Sequence, residues 1–508
     1  MADTGPQGVK YEKVGSEYFE KRKLRRYAGV FSLWALGVGA VVSGHFSGWN
    51  LGLAFGWGSM FVATVIITIM YLGLTYSLAE MSPALPHTGG AYSFARSAMG
   101  PWGGFVTGVA ENIEYVLTPA VVVFFISAYI GGILKYAGVL EDPEPLYPLF
   151  WILGYAVFVS LNLFGVELSF RVTVVVTLLA LACLVFFYIS AIPNVDFSRW
   201  ALNVTVGTDG KPALVEGGGG PWFPQGVHGV MAALPFAVWL FLAIEQLPLA
   251  AEETHDPRKD MPRGILLGIF TLIASAFAVL LLNSSIPNGA FAYSTSTEPL
   301  LDGFRAIYGS ESPAIVISLS FIAIAGLIAS FHAIIFAYGR QIYSLSRAGY
   351  FPRFLSVTHG THQTPQVALI AGTAIGLGVM FAIWLIFGKQ KGGAFIGAAL
   401  LNMAVFGAMI SYVMQAVSSI LLRIDMPHIE RPYRSPFGIP GALLTLAIAI
   451  VTISFQVTDQ AFWVPVMFVV AYYALTILYF AIFGRTKLVL SPEEEFAISK
   501  GKAEYKSH

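Results

Sequence analysis

Twelve stretches of this chain are long and apolar enough to cross the hydrocarbon layer of a bilayer, and this limits its fold more than any other feature. A helix rising 1.5 Å per residue needs roughly 20 largely apolar residues to cross such a layer. The stretches are 28–53, 55–80, 100–132, 147–166, 169–193, 227–251, 264–286, 313–338, 366–388, 393–422, 437–458 and 461–484. In lipid, every backbone N–H and C=O must be bonded inside the protein, so runs of this length are helices. Only 11% of the 508 residues are charged, against about 25% in a soluble domain. That is too little charge to cover a surface facing water. The expected fold is an all-α membrane protein with about twelve transmembrane helices.

Basic residues orient the spans. With both termini in the cytoplasm, 23 of the 29 Lys and Arg fall inside, and Lys135, Arg199, Lys211, Arg305, Lys389 and Lys391 fall outside. This divides the chain into a cytoplasmic tail (1–27), a transmembrane domain (28–484) and a second cytoplasmic tail (485–508). No short apolar segment with a cleavage site precedes the basic run Lys21 to Arg26, so the first span is expected to act as its own insertion signal. A net charge of zero argues against a nucleic-acid partner. The single cysteine, Cys183, excludes an internal disulfide. No Cys/His metal spacing is present, and no cofactor is expected. The outer loop 194–226, with Gly217 to Gly220 before Pro221, reads as irregular cover for the outer mouth. The acidic run Glu493 to Glu495 reads as a solvated terminus.

Two spans carry residues that break helices. Between Gly37 and Asn50, the first span holds Gly37, Gly39, Gly44 and Gly48 with Ser43, His45 and Ser47. Glycine costs a helix interior about 1 kcal/mol relative to alanine. A polar break at membrane depth suits a ligand or ion cavity, with close helix packing through small residues as the alternative. The break is expected at Ser43-Gly44-His45. The sixth span carries Pro235 and Pro248 around Trp239, Glu245 and Gln246. Proline removes a backbone donor and kinks a helix. Breaks five spans apart are the arrangement of two five-helix inverted repeats with a site between them, here followed by two further helices.

The third span carries Glu111 and Glu114, and the sixth Glu245. A charge at mid-membrane costs roughly 2.5–3.5 kcal/mol on insertion scales. Residues three apart share a helix face, so Glu111 and Glu114 are expected to lie about one turn from each other. Two carboxylates that close hold a proton or a cation between them. The bland alternative is a buried, protonated structural pair. Tyr115 and Trp239 adjoin the carboxylates and the break. His332 reads as a packing histidine, Ser330 as a hydroxyl bonded to its own helix, and Glu80 as an interfacial or gating contact.

Three segments resemble the amino acid–polyamine–organocation superfamily: Ser77 to Arg96, Ala250 to Arg263, and Gly339 to Pro352. The resemblance runs from about residue 28 to 484. Ser43-Gly-His-Phe-Ser-Gly-Trp-Asn50 and Glu111-Asn-Ile-Glu-Tyr-Val-Leu-Thr-Pro119 are similar to the ethanolamine permeases. The resemblance implies uptake of ethanolamine driven by a proton gradient. It implies that Ser43, Gly44, His45, Glu114, Tyr115 and Trp239 contact substrate, and that Glu111 and Glu245 gate or carry the proton. Glu114 falls where the third span of the arginine–agmatine exchanger faces its substrate, Glu111 on its inner-gate aromatic, Trp239 on its stacking tryptophan and Glu245 on its gate glutamate. A lysine that replaces a bound sodium in some relatives would fall at Ala180, so the coupling ion stays open.

The expected function is therefore secondary transport of ethanolamine, or a similar small amine, across the plasma membrane of a bacterial cell. The expected partners are the amine, a proton or other coupling ion, and lipid. Ethanolamine carries an ammonium and a hydroxyl but no carboxylate, so extra carboxylates favour it over a zwitterion. An amino acid permease and a choline or polyamine transporter are the alternatives. Choline, without N–H donors, would call for aromatic walls. No nucleophile–base pair or metal-ligand set marks an enzyme.

Overall fold

A computed structural model describes residues 6–309, 313–388 and 393–502. Among these, eleven helices are long and apolar enough to cross a membrane, and a bent pair completes twelve. Span 1 is that pair, Val30–Phe46 with Trp49–Phe55, bent by 42°. The others are span 2 (Trp57–Ala84), span 3 (Ala91–Tyr136), span 4 (Glu144–Leu163), span 5 (Val166–Asn194), span 6 (Gly226–Glu253), span 7 (Pro257–Ser284), span 8 (Pro313–Arg347), span 9 (Gln366–Phe387), span 10 (Phe395–Asp425), span 11 (Gly438–Thr458) and span 12 (Gln460–Thr486). The protein is a multi-pass membrane protein. Lys389 and Lys391, assigned to an outer loop, lie outside the described residues.

Span 3 begins earlier than its apolar run because a helical stretch from Ala91 precedes it, bent at Gly100 (φ 83°) before Pro101. Span 3 is also the most enclosed, with nearly all of its apolar window buried. It packs on spans 8 and 10, while span 1 packs on spans 5, 7 and 8. Spans 4, 5, 9, 11 and 12 expose large apolar side chains such as Leu178, Ile189, Ile375, Leu444 and Leu475. In lipid this exposure carries no hydrophobic penalty.

The first span breaks later than its sequence suggests. The helix runs through Ser43, Gly44 and His45 to Phe46, and the chain turns at Ser47 (φ −158°) and Gly48 (φ 95°). Gly44 serves closeness instead: a Cβ there would sit 2.3 Å from the Trp239 carbonyl oxygen. Gly48 is the position that needs a left-handed backbone. Span 6 is broken where expected, between its prolines. The helix Gly226–Trp239 ends, and a tighter stretch, Ile244–Glu253, resumes after Ala243 at φ 86°. Pro248 has no N–H for the Ile244 carbonyl, which disfavours regular α-helix there.

The segments flanking the first and last spans meet on one face, here called the termini face, since Tyr11–Glu12 pairs in parallel with Leu488–Val489. The expectation that Glu493 to Glu495 form a solvated acidic run is corrected for two of the three. Glu493 and Glu494 are 1% and 0% exposed, because Arg347 and Arg96 draw them inward as ion-pair partners. On the opposite face, loop 194–226 contains a small antiparallel pair, Val204–Val206 with Pro212–Leu214. Its Trp222 packs edge-on against Trp57 at the start of span 2.

Candidate substrate site

The two breaks satisfy each other. Trp239 Nε1 of span 6 donates to the Ser47 carbonyl of span 1 at 2.9 Å. His45 Nε2 of span 1 lies 3.0 Å from the Leu240 carbonyl of span 6. A carbonyl only accepts, so Nε2 carries the proton, and Nδ1 accepts from Ser275 Oγ at 2.8 Å. The Phe46 carbonyl accepts from the Tyr129 hydroxyl at 2.7 Å. Freed backbone groups are costly at membrane depth, and these side chains take them up. His45 therefore has both ring nitrogens engaged by protein. Gly44 lies inside regular helix, so the break does not release its amide. Ser43 Oγ donates to Ser330 Oγ at 2.8 Å, and Ser330 passes the bond to the Ala40 carbonyl. Ser330 thus bonds across to span 1 and not to its own helix.

Beside the breaks lies the acidic cluster. Glu114 is fully buried, and neither of its carboxyl oxygens has a hydrogen-bond partner among the described residues. Among charged groups, the Glu245 carboxyl acts on it most strongly, within reach of a shared proton, and Glu111 less so. Glu245 Oε1 accepts from the Ala243 amide at 2.9 Å, which holds the left-handed turn, while Oε2 meets no donor among the described residues. A non-glycine residue in that conformation costs roughly 1–3 kcal/mol, so the carboxylate cap is part of what maintains the break. Glu111 is turned instead to span 8, where Gln341 Nε2 donates to it at 2.9 Å. The Tyr115 hydroxyl reaches it at 3.4 Å. The two carboxyls, three apart on span 3, take different partners: Gln341 for Glu111, and the Glu245 carboxyl of span 6 as the neighbour of Glu114.

Three residues of the cluster carry no mark in the sequence. The Tyr71 hydroxyl of span 2 lies 2.8 Å from that of Tyr412 in span 10, and both hydroxyls are within electrostatic reach of Glu114 and Glu245. Tyr71 also packs against Phe241, within the break of span 6, at 5.3 Å. Gln341 is the third. Isolated tyrosines or glutamines in apolar runs look the same whether they pack or line a site. His332 is bonded to Asn162 and Ser169, as a packing histidine would be. Glu80 binds Arg423 and Arg431 at the termini face.

The cluster is closed from both faces. On the loop face, Asn50 Nδ2 donates to the Tyr293 and Ser296 carbonyls at 2.6 and 2.8 Å. On the termini face, Glu253 pairs with Arg340 at 2.9 Å, and its carbonyl accepts from the Tyr27 and Ala28 amides. A cavity of about 700 Å³ opens on the termini face beside Glu252 and Arg347.

The amino acid permease family profile matches residues 35–505. An uncharacterized transporter of Rhizobium meliloti is 26% identical, over 82% of this chain and 84% of its own length. A branched-chain amino acid permease of Bacillus subtilis is 24% identical over 83% of this chain and 85% of its own. A D-serine/D-alanine/glycine transporter of Escherichia coli is 23% identical over 79% and 81%. All three relatives are named as transporters or permeases, and the chain belongs to the amino acid permease family of membrane transporters.

Proposed function

We propose that this transporter carries a small primary ammonium compound, with ethanolamine the best-fitting example, and that Glu114 and Glu245 receive the ammonium group. One observation carries the reading. Two buried carboxyl groups face each other with no basic partner among the described residues. Two such groups are neutral only with protons or a cation between them. An ammonium supplies charge and up to three N–H donors to oxygens that lack them. The substrate hydroxyl then meets the Tyr71–Tyr412 hydroxyl pair or Ser43. A substrate carboxylate would sit against like charge. Glu111, held by Gln341, serves as the gating or proton-carrying carboxyl, and Tyr115 and Trp239 wall the site. His45 and Gly44 act through the breaks without touching substrate. Proton-coupled uptake across the plasma membrane, with both tails and their basic excess in the cytoplasm, completes the proposal.

A second reading is favoured by the relatives, two of which are named for amino acids. In it, a neutral amino acid binds while the glutamates hold protons. Uptake into vesicles separates the two. Ethanolamine accumulating faster than alanine supports the amine, and the reverse order supports the amino acid.

A further inference from the structure

The segment after the last span is built into the termini face. Residues Leu488–Val489 lie against Tyr11–Glu12, and the Val489 amide donates to the Ala348 carbonyl at 2.9 Å. The receiving surface is shaped for it. Gly349 sits at φ 84°, and a Cβ there would lie 2.5 Å from the Lys487 carbonyl oxygen. The short helix Pro492–Ile498 follows. Its Glu494 accepts from Arg96 Nε at 2.6 Å, from the Tyr11 hydroxyl at 2.8 Å and from the Tyr350 hydroxyl at 2.9 Å.

Glu493 is the informative neighbour. Arg347, the last residue of span 8, donates to Glu493 at 3.1 Å and to both oxygens of Glu252 at 2.7 and 2.9 Å. Glu252 lies in the final turn of broken span 6. One guanidinium thus ties the tail to the segment that has to move if the site is to open on this face. Phe496 of the same helix lines the 700 Å³ cavity beside Glu252 and packs edge-on to His87 at 6.0 Å. A buried ion pair contributes little to stability compared with apolar packing, but removing one partner leaves the other charge uncompensated.

We propose that the tail segment 488–498 is a latch on this face. It restrains the end of span 6 through the shared Arg347 and walls the cavity with Phe496. Its release frees the end of span 6 and widens this already open cavity, raising the access of a bulky reagent to its wall, without altering the central site.

The test uses the full-length protein in detergent. The one native cysteine, Cys183, is buried. Ala84→Cys, which lines the cavity, provides the label site for a bulky maleimide. The carriers are Ala84→Cys alone, with Glu493→Gln, with Glu494→Gln, and with both. Faster labelling of folded protein, by about fivefold or more in the double variant, the low end of coupling between linked sites, is the expected result. It should come with unchanged affinity for whichever cargo binds the parent protein. Labelling at the parental rate in folded single and double variants overturns the latch. So does slower labelling, or faster labelling that merely follows lowered thermal stability. If the double variant does not fold, the single variants decide. The readout does not depend on the identity of the cargo.

Discussion

Glu114 in span 3 faces Glu245, just after the break of span 6, and neither carboxyl meets a basic side chain among the described residues. Glu245 spends one oxygen on the Ala243 amide that holds the turn. Glu114 has no such donor among the described residues and faces only the Glu245 carboxyl, which is why the proposal gives it the ammonium. Glu114→Gln keeps size and removes charge. It should weaken ethanolamine binding by about 2 kcal/mol or more, roughly 30-fold, as for truncation of a buried charge pair. Calorimetry on purified protein measures this, with thermal stability as the control. Unchanged affinity would remove Glu114 from the site.

His45 should behave in the opposite way. Its ring donates to the Leu240 carbonyl and accepts from Ser275. His45→Phe leaves a buried carbonyl orphaned, at a cost of about 1–3 kcal/mol. The melting temperature should fall while affinity in the folded protein changes little. A large loss of affinity at preserved stability would instead make His45 a substrate ligand.

Gly44 tests the contact between the breaks. Gly44→Ala places a methyl 2.3 Å from the Trp239 carbonyl oxygen, and such overpacking costs about 1–3 kcal/mol. Gly29→Ala, where nothing lies within 4 Å, is the matched control. Transport and stability should drop in the first and hold in the second. Equal behaviour would mean that spans 1 and 6 do not approach as described.

The loop face carries a titratable restraint. Glu298, between spans 7 and 8, pairs with Arg305 at 2.7 Å, yet burial outweighs that pairing and pushes its carboxyl up to about 7. The folded state thus holds this proton more tightly than the unfolded chain. Its contribution is full below the ordinary carboxyl range and is lost as pH rises through about 7. Melting temperature measured from pH 5 to 8 should decline more in the parent than in Glu298→Gln. Parallel curves would contradict the assignment.

The spans were legible because length and apolarity are local properties. The break in span 6 was legible too, since proline has few other uses at membrane depth. The break in span 1 was not, because glycine answers two demands that sequence cannot separate. Gly44 permits contact with the Trp239 carbonyl, and Gly48 takes the positive φ. The acidic residues were recognisable by cost alone, but their pairing was tertiary: Glu111 finds Gln341 and Glu114 finds Glu245. Tyr71 and Tyr412 meet across 341 positions, and nothing around either tyrosine announces it. The tail reading failed similarly, because the partner of Glu494 is Arg96, 398 residues away.

The most direct test of the cation site is a binding screen of ethanolamine, choline, alanine and putrescine on the purified protein and on Glu114→Gln. The account predicts that ethanolamine binds the parent most tightly and loses most of that affinity in the variant. Alanine binding at least as tightly as ethanolamine, with both indifferent to the substitution, would contradict it.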